Sequence, residues 1–389
     1  MEPIAKTVAA HGHEVHVVAP WHPLLQRAHH EDGVSFHFYK YAPVRALNVF
    51  GYAGGMRADV SLRGAAYLAA PLALAQGWRL ARKVARRHAA TIMHGHWVVP
   101  GGIMAALAAP SLPLVISLHG SDVYVAETFA PARAAARAAL SRAGAITACS
   151  EDLRRRAVAI GADPVRVEVV PYGVDVERFR PNAASRDARR ARLGLTEGVP
   201  LIFAVGRFVR KKGFEYLIDA VAAVAGRERA VVAIGGEGDL DAELRARAAR
   251  SGAGASIRFL GRLSQDEVAD YLAAADVVVV PSIRDDAGNV DGLPNVVMEA
   301  LASGTPLVTT PAGGIGAIVT HERTALVVPE RDVAALSGAV SRLIADAELR
   351  QTIGSAARAL AAAQFGWERT ARLFERAYDR ALVLRSTRR

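Results

Sequence analysis

The stretch VVVVPSIRDDAGNVDGLPNVVMEALASGTP, residues 277–306, contains one strand, loop and helix of the fold. Four consecutive valines are typical of a strand that is buried on both faces, and the Pro, Asp, Gly and Asn residues after them predict a loop. Asn295 is suited to cap a helix that runs to about Ala302, and the apolar run that begins at Leu307 predicts the next strand. The segment therefore predicts a parallel sheet with helical crossovers.

The same alternation of apolar runs and alanine-rich helical stretches recurs along the chain. Strands of parallel sheets are predicted at Val15–Ala19, Leu114–Leu118, Leu201–Val205, Val231–Ile234, Val277–Val280 and Leu307–Thr310. Such strands with right-handed crossovers define a doubly wound α/β architecture, in which ligands bind beyond the carboxyl ends of the strands.

The length of 389 residues favours two domains rather than one. A small, polar stretch, PNAAS at 181–185, is typical of a linker. We therefore expect a first Rossmann-like domain over residues 1–180 and a second over residues 181–367. A C-terminal helix over residues 368–389 is expected to return to the first domain.

Composition indicates a folded globular protein, since 51% of the residues are hydrophobic and 22% are charged. The longest apolar stretch, Ala65–Trp78, is shorter than the roughly 20 residues that span a bilayer, so we expect no transmembrane helix. No secretory signal is visible at the N-terminus. Because Cys149 is the single cysteine, an intramolecular disulfide is excluded, and we expect a cytoplasmic protein.

The net charge of +10 is concentrated in the N-terminal half. A helix over residues 78–88 would gather basic side chains beside Trp78, and either a solvated helix face or contact with an anionic membrane surface would explain them. The second interpretation predicts a peripheral membrane protein. Nucleic acid is not expected as a partner, because no nucleic-acid-binding motif accompanies the charge. The basic residues are Arg79, Arg82, Lys83, Arg86 and Arg87.

Two acidic side chains within residues 277–306 are candidates for ligand recognition. Asp291 lies in the loop before the predicted helix, and Glu299 lies about one turn inside that helix. Carboxylates accept hydrogen bonds from vicinal hydroxyls, as in ribose recognition, and the free amides of a helix N-terminus suit a phosphate. A solvated loop aspartate and a solvated helix glutamate are the alternative for an isolated pair, but the preceding buried strand and the glycines favour a site.

Basic side chains follow the predicted strand Leu201–Val205 in the segment GRFVRKKG, residues 206–213. Arg207 and Lys212 are suited to a diphosphate, because arginine is a planar fork of donors and lysine a mobile point charge. Taken alone, the segment would be interpreted as a basic surface loop.

Two weaker signals follow other predicted strands. Gly236, Glu237 and Gly238 follow Val231–Ile234, where glycines permit close approach of a ligand, although Gly-rich strand ends are often only turns. His119 follows Leu114–Leu118; such a histidine is more often structural than in contact with a substrate.

These motifs together resemble the family 4 glycosyltransferases, which have the GT-B fold of two Rossmann-like domains facing across a cleft. The resemblance extends over nearly the whole chain. It includes HGSD at 119–122, VPYGVD at 170–175, the GR-x4-KG pattern at 206–213, GEG at 236–238, and the acidic pair Asp291 and Glu299, with Glu299 beginning the segment EALASGTP at 299–306.

The resemblance implies a retaining, metal-independent hexosyltransferase of polysaccharide biosynthesis. Such an enzyme moves a sugar from a nucleotide-diphosphate sugar to a glycan or lipid-linked acceptor, and it needs no cofactor beyond that co-substrate and no metal. The family places the acceptor on the leaving-group face, where the donor phosphate takes its proton. The motifs specify neither the donor base and sugar nor the acceptor.

By resemblance, His119, Arg207, Lys212 and Asp291 form the catalytic set. Glu299 would bind the nucleotide ribose, Asp291 the donor sugar, and His119 the transferred sugar, while Arg207 and Lys212 would hold the diphosphate. The donor-binding set comprises Gly206, Gly236, Glu237, Gly238, Gly292, Leu293, Pro294, Asn295 and Glu299.

Three features depart from the family pattern. Asp291 stands where the family commonly has Glu, and GGIGA at 313–317 ends in Ala317 where a carboxylate is usual. The family usually has one more strand and a Gly-rich loop before a segment like GHEVHVV, residues 12–18. We therefore expect either a misplaced start of the chain or an N-terminal sheet without its first strand.

Two other functions are open. A nucleotide-sugar epimerase shares the two-domain fold and could use similar diphosphate contacts, but the extended resemblance argues against it. A catalytically silent nucleotide-sugar-binding partner is suggested by the departures at the N-terminus and at Ala317.

Overall fold

The computed structural model describes residues 2–50, 56–57, 61–62 and 64–386. The chain divides into two compact units: the first comprises Met1–Pro171 with Trp367–Arg389, and the second comprises Tyr172–Gly366. Among the described residues, none of the helices combines the length and the apolar character that crossing a membrane requires.

Helices cover much of the described part of the chain. In chain order they are α1 (Glu2–Ala10), α2 (Ala65–Arg87), α3 (Ile103–Ala108), α4 (Ser121–Thr128), α5 (Ala130–Arg142), α6 (Glu151–Ala159), α7 (Ala183–Arg192), α8 (Phe214–Glu228), α9 (Asp241–Arg250), α10 (Gln265–Ala274), α11 (Asn295–Ser303), α12 (Val333–Ala345), α13 (Ala347–Gln364) and α14 (Trp367–Ser386).

The strands alternate with these helices through most of the chain. They are β1 (Val15–Pro20), β2 (His30–Glu31), β3 (Val34–Tyr39), β4 (Met56–Arg57), β5 (Ser61–Leu62), β6 (Met93–His96), β7 (Leu114–Leu118), β8 (Ala145–Ala148), β9 (Val167–Val169), β10 (Leu201–Val205), β11 (Val231–Gly235), β12 (Ile257–Gly261), β13 (Val277–Val280), β14 (Leu307–Thr309) and β15 (Leu326–Val327). All six predicted strands are found, and where the bounds differ they differ by one residue at the carboxyl end.

The division between the units falls after Pro171 rather than after residue 180. The cause is hydrogen bonding: Val174 N–H donates to the Phe365 carbonyl, and the Arg358 guanidinium donates to the carbonyls of Val176 and Phe179. These bonds attach residues 172–180 to the second unit, and the polar stretch at 181–185 leads into α7 inside that unit.

The first unit contains parallel strands in two sheets. One has the order β6-β7-β8-β9, and the other has the order β1-β3-β2, with β1 and β3 parallel. Strands β4 and β5 form an antiparallel pair. Among the described residues, β1 and β6 each pair with a single strand, β3 and β7 respectively.

Helix α14 belongs to the first unit, where we expected a helix over residues 368–389; residues 387–389 lie outside the described part of the chain. Ala371 and Phe374 on this helix pack with Ile4 and Val8 of α1. Farther along, Ala381 contacts Gly144, where an added Cβ would lie 2.8 Å from the Ala381 Cα. Apolar burial therefore holds α14 on this unit.

The second unit contains a six-stranded parallel sheet of order β12-β11-β10-β13-β14-β15. The chain builds outward from β10 to β12 on one side and from β13 to β15 on the other, so the strand order reverses between β10 and β13. All four valines of β13 are buried, as expected of a strand covered on both faces. At such a reversal the loops after the two strands diverge and leave a ligand-binding crevice.

Two helical glycines in the second unit occupy different surroundings. A Cβ added to Gly354 of α13 would lie 2.2 Å from the carbonyl oxygen of Gly304, the left-handed residue that ends α11. A Cβ added to Gly338 of α12 would meet no heavy atom within 4 Å. The first glycine permits close helix contact, whereas the second is in open space.

Gly354→Ala is therefore expected to destabilise the second unit by about 1–3 kcal/mol through overpacking. Gly338→Ala, its matched control, should be neutral or raise stability by up to about 1 kcal/mol, because alanine favours the helix. Thermal unfolding of the full chain followed by circular dichroism measures both. Equal melting temperatures for the two variants would contradict the close contact at Gly304.

Candidate active site

The predicted donor residues of the second unit follow three neighbouring strands. Gly206, Arg207 and Lys212 come after β10, the segment 236–238 comes after β11, and the loop 291–295 leads from β13 into α11. Since β10 pairs with both β11 and β13, the carboxyl ends of these strands lie side by side. The fold thus brings this set to one edge of the sheet.

Asp291 lies between two lysines. Its Oδ2 is 2.5 Å from the Lys212 Nζ and its Oδ1 is 3.0 Å from the Lys211 Nζ. Burial alone would raise the pKa of Asp291, but the two ammonium groups hold it well below its usual range. The carboxylate is therefore ionised at neutral pH, and the three side chains together carry one net positive charge.

Lys211 was missed by the sequence analysis, which assigned the basic role to Lys212. The Lys211 side chain is 5% exposed, less than the 15% of Lys212. Two adjacent lysines give no sequence signal of which one is buried. The pairing with Asp291 comes from a residue 80 positions later in the chain, which only the neighbouring positions of β10 and β13 bring close.

Glu299 differs from Asp291 in its electrostatic surroundings. It lies on α11 with limited exposure, and burial raises its pKa to about 7, although the positive charge of Lys212 opposes the increase. Among the described residues no hydrogen bond or ion pair engages its carboxyl group. Glu299 therefore has free acceptor capacity beside a positively charged cluster.

The prediction that Asn295 caps α11 is wrong. Pro294 is the N-cap residue, no side chain accepts a bond there, and Asn295 is the exposed first residue of the helix. A proline fixes φ near the −67° found at this position and excludes a side-chain cap. The first-turn amides of α11 consequently have no side-chain acceptor, which suits them to an anionic ligand. Gly292, Leu293 and Pro294 are buried before them.

Two glycines after β11 are required by backbone packing. A Cβ on Gly236, which has φ +134°, would lie 1.9 Å from the Gly206 carbonyl oxygen, and one on Gly238 would lie 2.7 Å from the Phe208 carbonyl oxygen. The Phe208 N–H donates to the Glu237 carbonyl at 2.9 Å. These loops therefore brace each other, and the exposed side chains of Arg207 and Glu237 extend from them.

His119 belongs to the first unit, directly after β7. Asp122 fixes its backbone, because Asp122 Oδ1 accepts from the N–H groups of His119 and Gly120 at 3.1 and 3.0 Å. The imidazole lies 3.1 Å from a nitrogen of His96 and packs on the Trp97 ring. Burial lowers the pKa of His119 to about 3, so the ring is neutral and both donates and accepts hydrogen bonds.

Solved structures support the two-domain architecture. Sucrose-phosphate synthase from Thermosynechococcus elongatus is similar with a TM-score of 0.78 and 21% identity, covering 98% of this chain and 92% of that one. Anabaena HepE in complex with UDP and glucose is similar with a TM-score of 0.72 and 21% identity, covering 90% of this chain and 87% of that one. The fold is the GT-B fold of glycosyltransferases, with two Rossmann-like domains.

Sequence relatives give the family. The profile of glycosyltransferase family 4 matches residues 3–178 and that of the glycosyl transferases group 1 matches residues 185–360. A GDP-mannose-dependent α-(1-6)-phosphatidylinositol monomannoside mannosyltransferase of Mycobacterium tuberculosis is 32% identical over 298 residues, 75% of this chain and 76% of its own. A D-inositol 3-phosphate glycosyltransferase of Nocardioides sp. is 33% identical over 335 residues, which are 77% of this chain and 71% of its own length.

The chain belongs to the family 4 glycosyltransferases. Its function is glycosyl transfer, and neither the epimerase nor the catalytically silent partner is supported.

The raised pKa of Glu299 predicts a pH dependence of stability. In the folded state Glu299 keeps its proton up to about pH 7, whereas its ordinary pKa is 4.5. The contribution of this proton to the free energy of unfolding is therefore fully present below pH 4.5 and is lost as pH rises through 7. Without ligand, Glu299→Gln should match wild type at low pH and be more stable at pH above 7, by at most about 3 kcal/mol. Thermal unfolding across this range measures the gap; a gap independent of pH would refute the raised pKa.

Proposed function

We propose that this glycosyltransferase moves a hexose from a nucleotide-diphosphate sugar to a lipid-linked acceptor, with retention of anomeric configuration and without a catalytic metal. One observation carries the proposal: a cationic cluster and a partly buried carboxyl group without a described partner both lie at the C-terminal ends of β10 and β13. The two lysines at Asp291 supply positive charge, and Glu299 supplies a hydrogen-bond acceptor.

Each part of a nucleotide-sugar donor has a suitable partner in this set. Glu299 would accept from the ribose hydroxyls, because no described side chain occupies its carboxylate. Arg207, Lys212 and the first-turn amides of α11 would hold the diphosphate. Asp291, kept ionised by its lysines, would accept from hydroxyls of the donor sugar. For His119 we keep the role implied by the resemblance, a contact to the transferred sugar.

The chemistry of the step follows from this charge distribution. As the glycosidic bond to the diphosphate breaks, negative charge accumulates on the leaving oxygens, and fixed cations stabilise that charge more than they stabilise the ground state. The acceptor oxygen attacks from the leaving-group face, and a phosphate oxygen of the donor takes its proton. Lys212 and Arg207 thereby supply the positive charge that a bound metal supplies in other enzymes.

GDP-mannose and phosphatidylinositol-based acceptors are the first candidates, because the mycobacterial relative is named for that donor and that acceptor class. The test is transfer from a panel of nucleotide sugars, with the product anomer assigned by NMR. We expect retention, and a rate that added Mg²⁺ or Mn²⁺ does not change. Inverted product, or a rate that depends on added metal, would overturn the corresponding part of the proposal.

Arg207→Ala should lower turnover by about a hundredfold, more than it weakens donor binding, because leaving-group charge is larger in the transition state. Arg210→Ala is the matched control in the same loop, since Arg210 is paired with Glu243 at 2.6 Å. Lys212→Ala is a poorer probe, because it would also remove one of the two ion pairs of Asp291. Equal turnover in the two arginine variants would remove Arg207 from the site.

We also propose that α2 places the protein on an anionic membrane, at the cytoplasmic face expected from the sequence. Leu68, Leu72, Arg79, Lys83 and Arg86 recur at spacings of 3, 4 or 7 residues along α2, so they share one face, and all are exposed. The N-terminal part of this face is apolar and the C-terminal part is basic.

The basic side chains of α2 have few internal partners. Arg82 lies over the Trp78 ring at 5.9 Å, while no carboxylate in the described part of the chain is within ion-pair distance of the basic cluster. Uncompensated cations beside exposed leucines are typical of helices that adsorb to anionic bilayers. This face would bring the enzyme to a lipid-linked acceptor.

Co-sedimentation with phosphatidylserine-containing vesicles tests the membrane proposal. Each basic residue contributes about 1 kcal/mol near such a surface, so wild type should pellet at low ionic strength and be released by salt. Glutamine at all five basic positions of the α2 cluster should abolish pelleting. A control with the same charge change, glutamine at exposed arginines elsewhere, should still pellet; those positions are Arg155, Arg192, Arg250, Arg262 and Arg323.

Loss of pelleting in both glutamine variants would show that net charge alone is responsible. Pelleting that survives in the α2 variant would show that the cluster is a solvated helix face.

A further inference from the structure

Three histidines from distant parts of the first unit meet beside the sheet of order β1-β3-β2. His16 is on β1, His37 is on β3, and His88 is the residue that ends α2. The register pairs Val18 with His37, and side chains two apart on a strand share a face, so His16 and His37 project from the same face of the sheet. Helix α2 packs against both strands, which brings His88 to that face.

The imidazoles are close enough to share one ligand. One ring nitrogen from each histidine can be chosen so that all three lie within 4.8 Å of one another. His16 Nδ1 is 3.1 Å from His37 Nε2, and the rings of His16 and His88 are 3.9 Å apart between centroids. All three side chains are partly buried, with exposures of 13% for His16 and 27% for His88. An ion could therefore enter from solvent and be held by side chains with restricted motion.

Glu14 determines which nitrogen of His16 faces the cluster. Its Oε1 lies 2.9 Å from His16 Nε2 and 3.5 Å from His88 Nδ1. When His16 Nε2–H donates to this carboxylate, Nδ1 presents its lone pair toward His37. Histidines that bind metals usually donate their second ring N–H to a carboxylate or carbonyl in this way, which orients the ring and increases the basicity of the ligand atom.

The distances fit a tetrahedral ion after small side-chain rotations. Zinc–nitrogen bonds of 2.0–2.1 Å in a tetrahedral site place ligand nitrogens about 3.3 Å apart. The distance of 3.1 Å between His16 Nδ1 and His37 Nε2 is already near that value. Because no two of the three ligand nitrogens are more than 4.8 Å apart, any remaining distance would have to shorten by less than about 2 Å. A hydrogen bond satisfies one pair of nitrogens, whereas a metal ion engages all three rings at once.

Charge and ligand type decide which ion fits. Imidazole nitrogens suit Zn²⁺, Co²⁺, Ni²⁺ and Cu²⁺, whereas Mg²⁺ and Ca²⁺ prefer oxygen ligands.

We propose that His16, His37 and His88 form a binding site for a transition-metal dication of the Zn²⁺ type, oriented by Glu14, that fastens the end of α2 to β1 and β3. The site is structural and requires no part of the donor geometry described above. Its failure and that of the proposed catalytic reaction are therefore separately measurable.

Isothermal titration calorimetry tests the site. Zn²⁺ is titrated into the tag-free, full-length protein after treatment with a chelator. One equivalent should bind and raise the melting temperature, since a ligand of the folded state stabilises it. Co²⁺ should give the visible absorption of a tetrahedral complex, and Mg²⁺ should give no response. Absence of stoichiometric Zn²⁺ binding would overturn the proposal.

His88→Gln assigns the bound ion to this cluster. It should weaken Zn²⁺ binding at least tenfold, while His30→Gln, which changes an exposed histidine of the same unit, should leave affinity unchanged. Equal affinity in both variants would place the ion elsewhere and refute the assignment. His37→Gln should also weaken binding, and if this strand substitution prevents folding, His88→Gln at the helix end still decides the question.

Discussion

The ion pairs of Asp291 with Lys211 and Lys212 are the contact on which the candidate active site depends. They join the loop after β10 to the loop after β13, at the reversal of strand order. A buried carboxylate between two ammonium groups is ionised, and removal of Asp291 would leave two adjacent ammonium groups without their counter-charge. The same contact fixes Lys212, whose field reaches Glu299 and opposes the increase in its pKa. One electrostatic cluster thus positions the groups proposed to meet the sugar, the diphosphate and the ribose.

This arrangement gives two carboxyl groups on one short segment different ionisation behaviour. Asp291 has two cations within 3.0 Å, whereas Glu299 has no direct partner in the described chain and is governed by burial. The difference suits a donor site that holds a fixed negative charge near the sugar and adjustable acceptor capacity near the ribose. The glycines of the adjoining loops contribute by packing, because the backbone contacts at Gly236 and Gly238 leave no room for a Cβ.

Sequence reasoning predicted the strands well because buried parallel strands are short apolar runs, and their ends were found to within one residue. It predicted the candidate donor residues as a group, since each follows a predicted strand. The N-cap of α11 was predicted wrongly. Pro294 is the N-cap residue, and Asn295, which was expected to cap the helix, is its first residue. Sequence reasoning also placed the division after residue 180, because the polar composition at 181–185 gives no sign that Arg358 binds the carbonyls before it.

The sequence by itself determined the family, the doubly wound architecture and the residue types at the strand ends, because hydrophobic periodicity and local motifs are written in consecutive residues. Tertiary structure alone decided which lysine is buried with Asp291, how strongly Glu299 holds its proton, and that His16, His37 and His88 share one face. Ion pairing, desolvation and ligand geometry depend on distances between residues far apart in the chain. Those distances are set by strand order and helix packing, which no short stretch of sequence specifies.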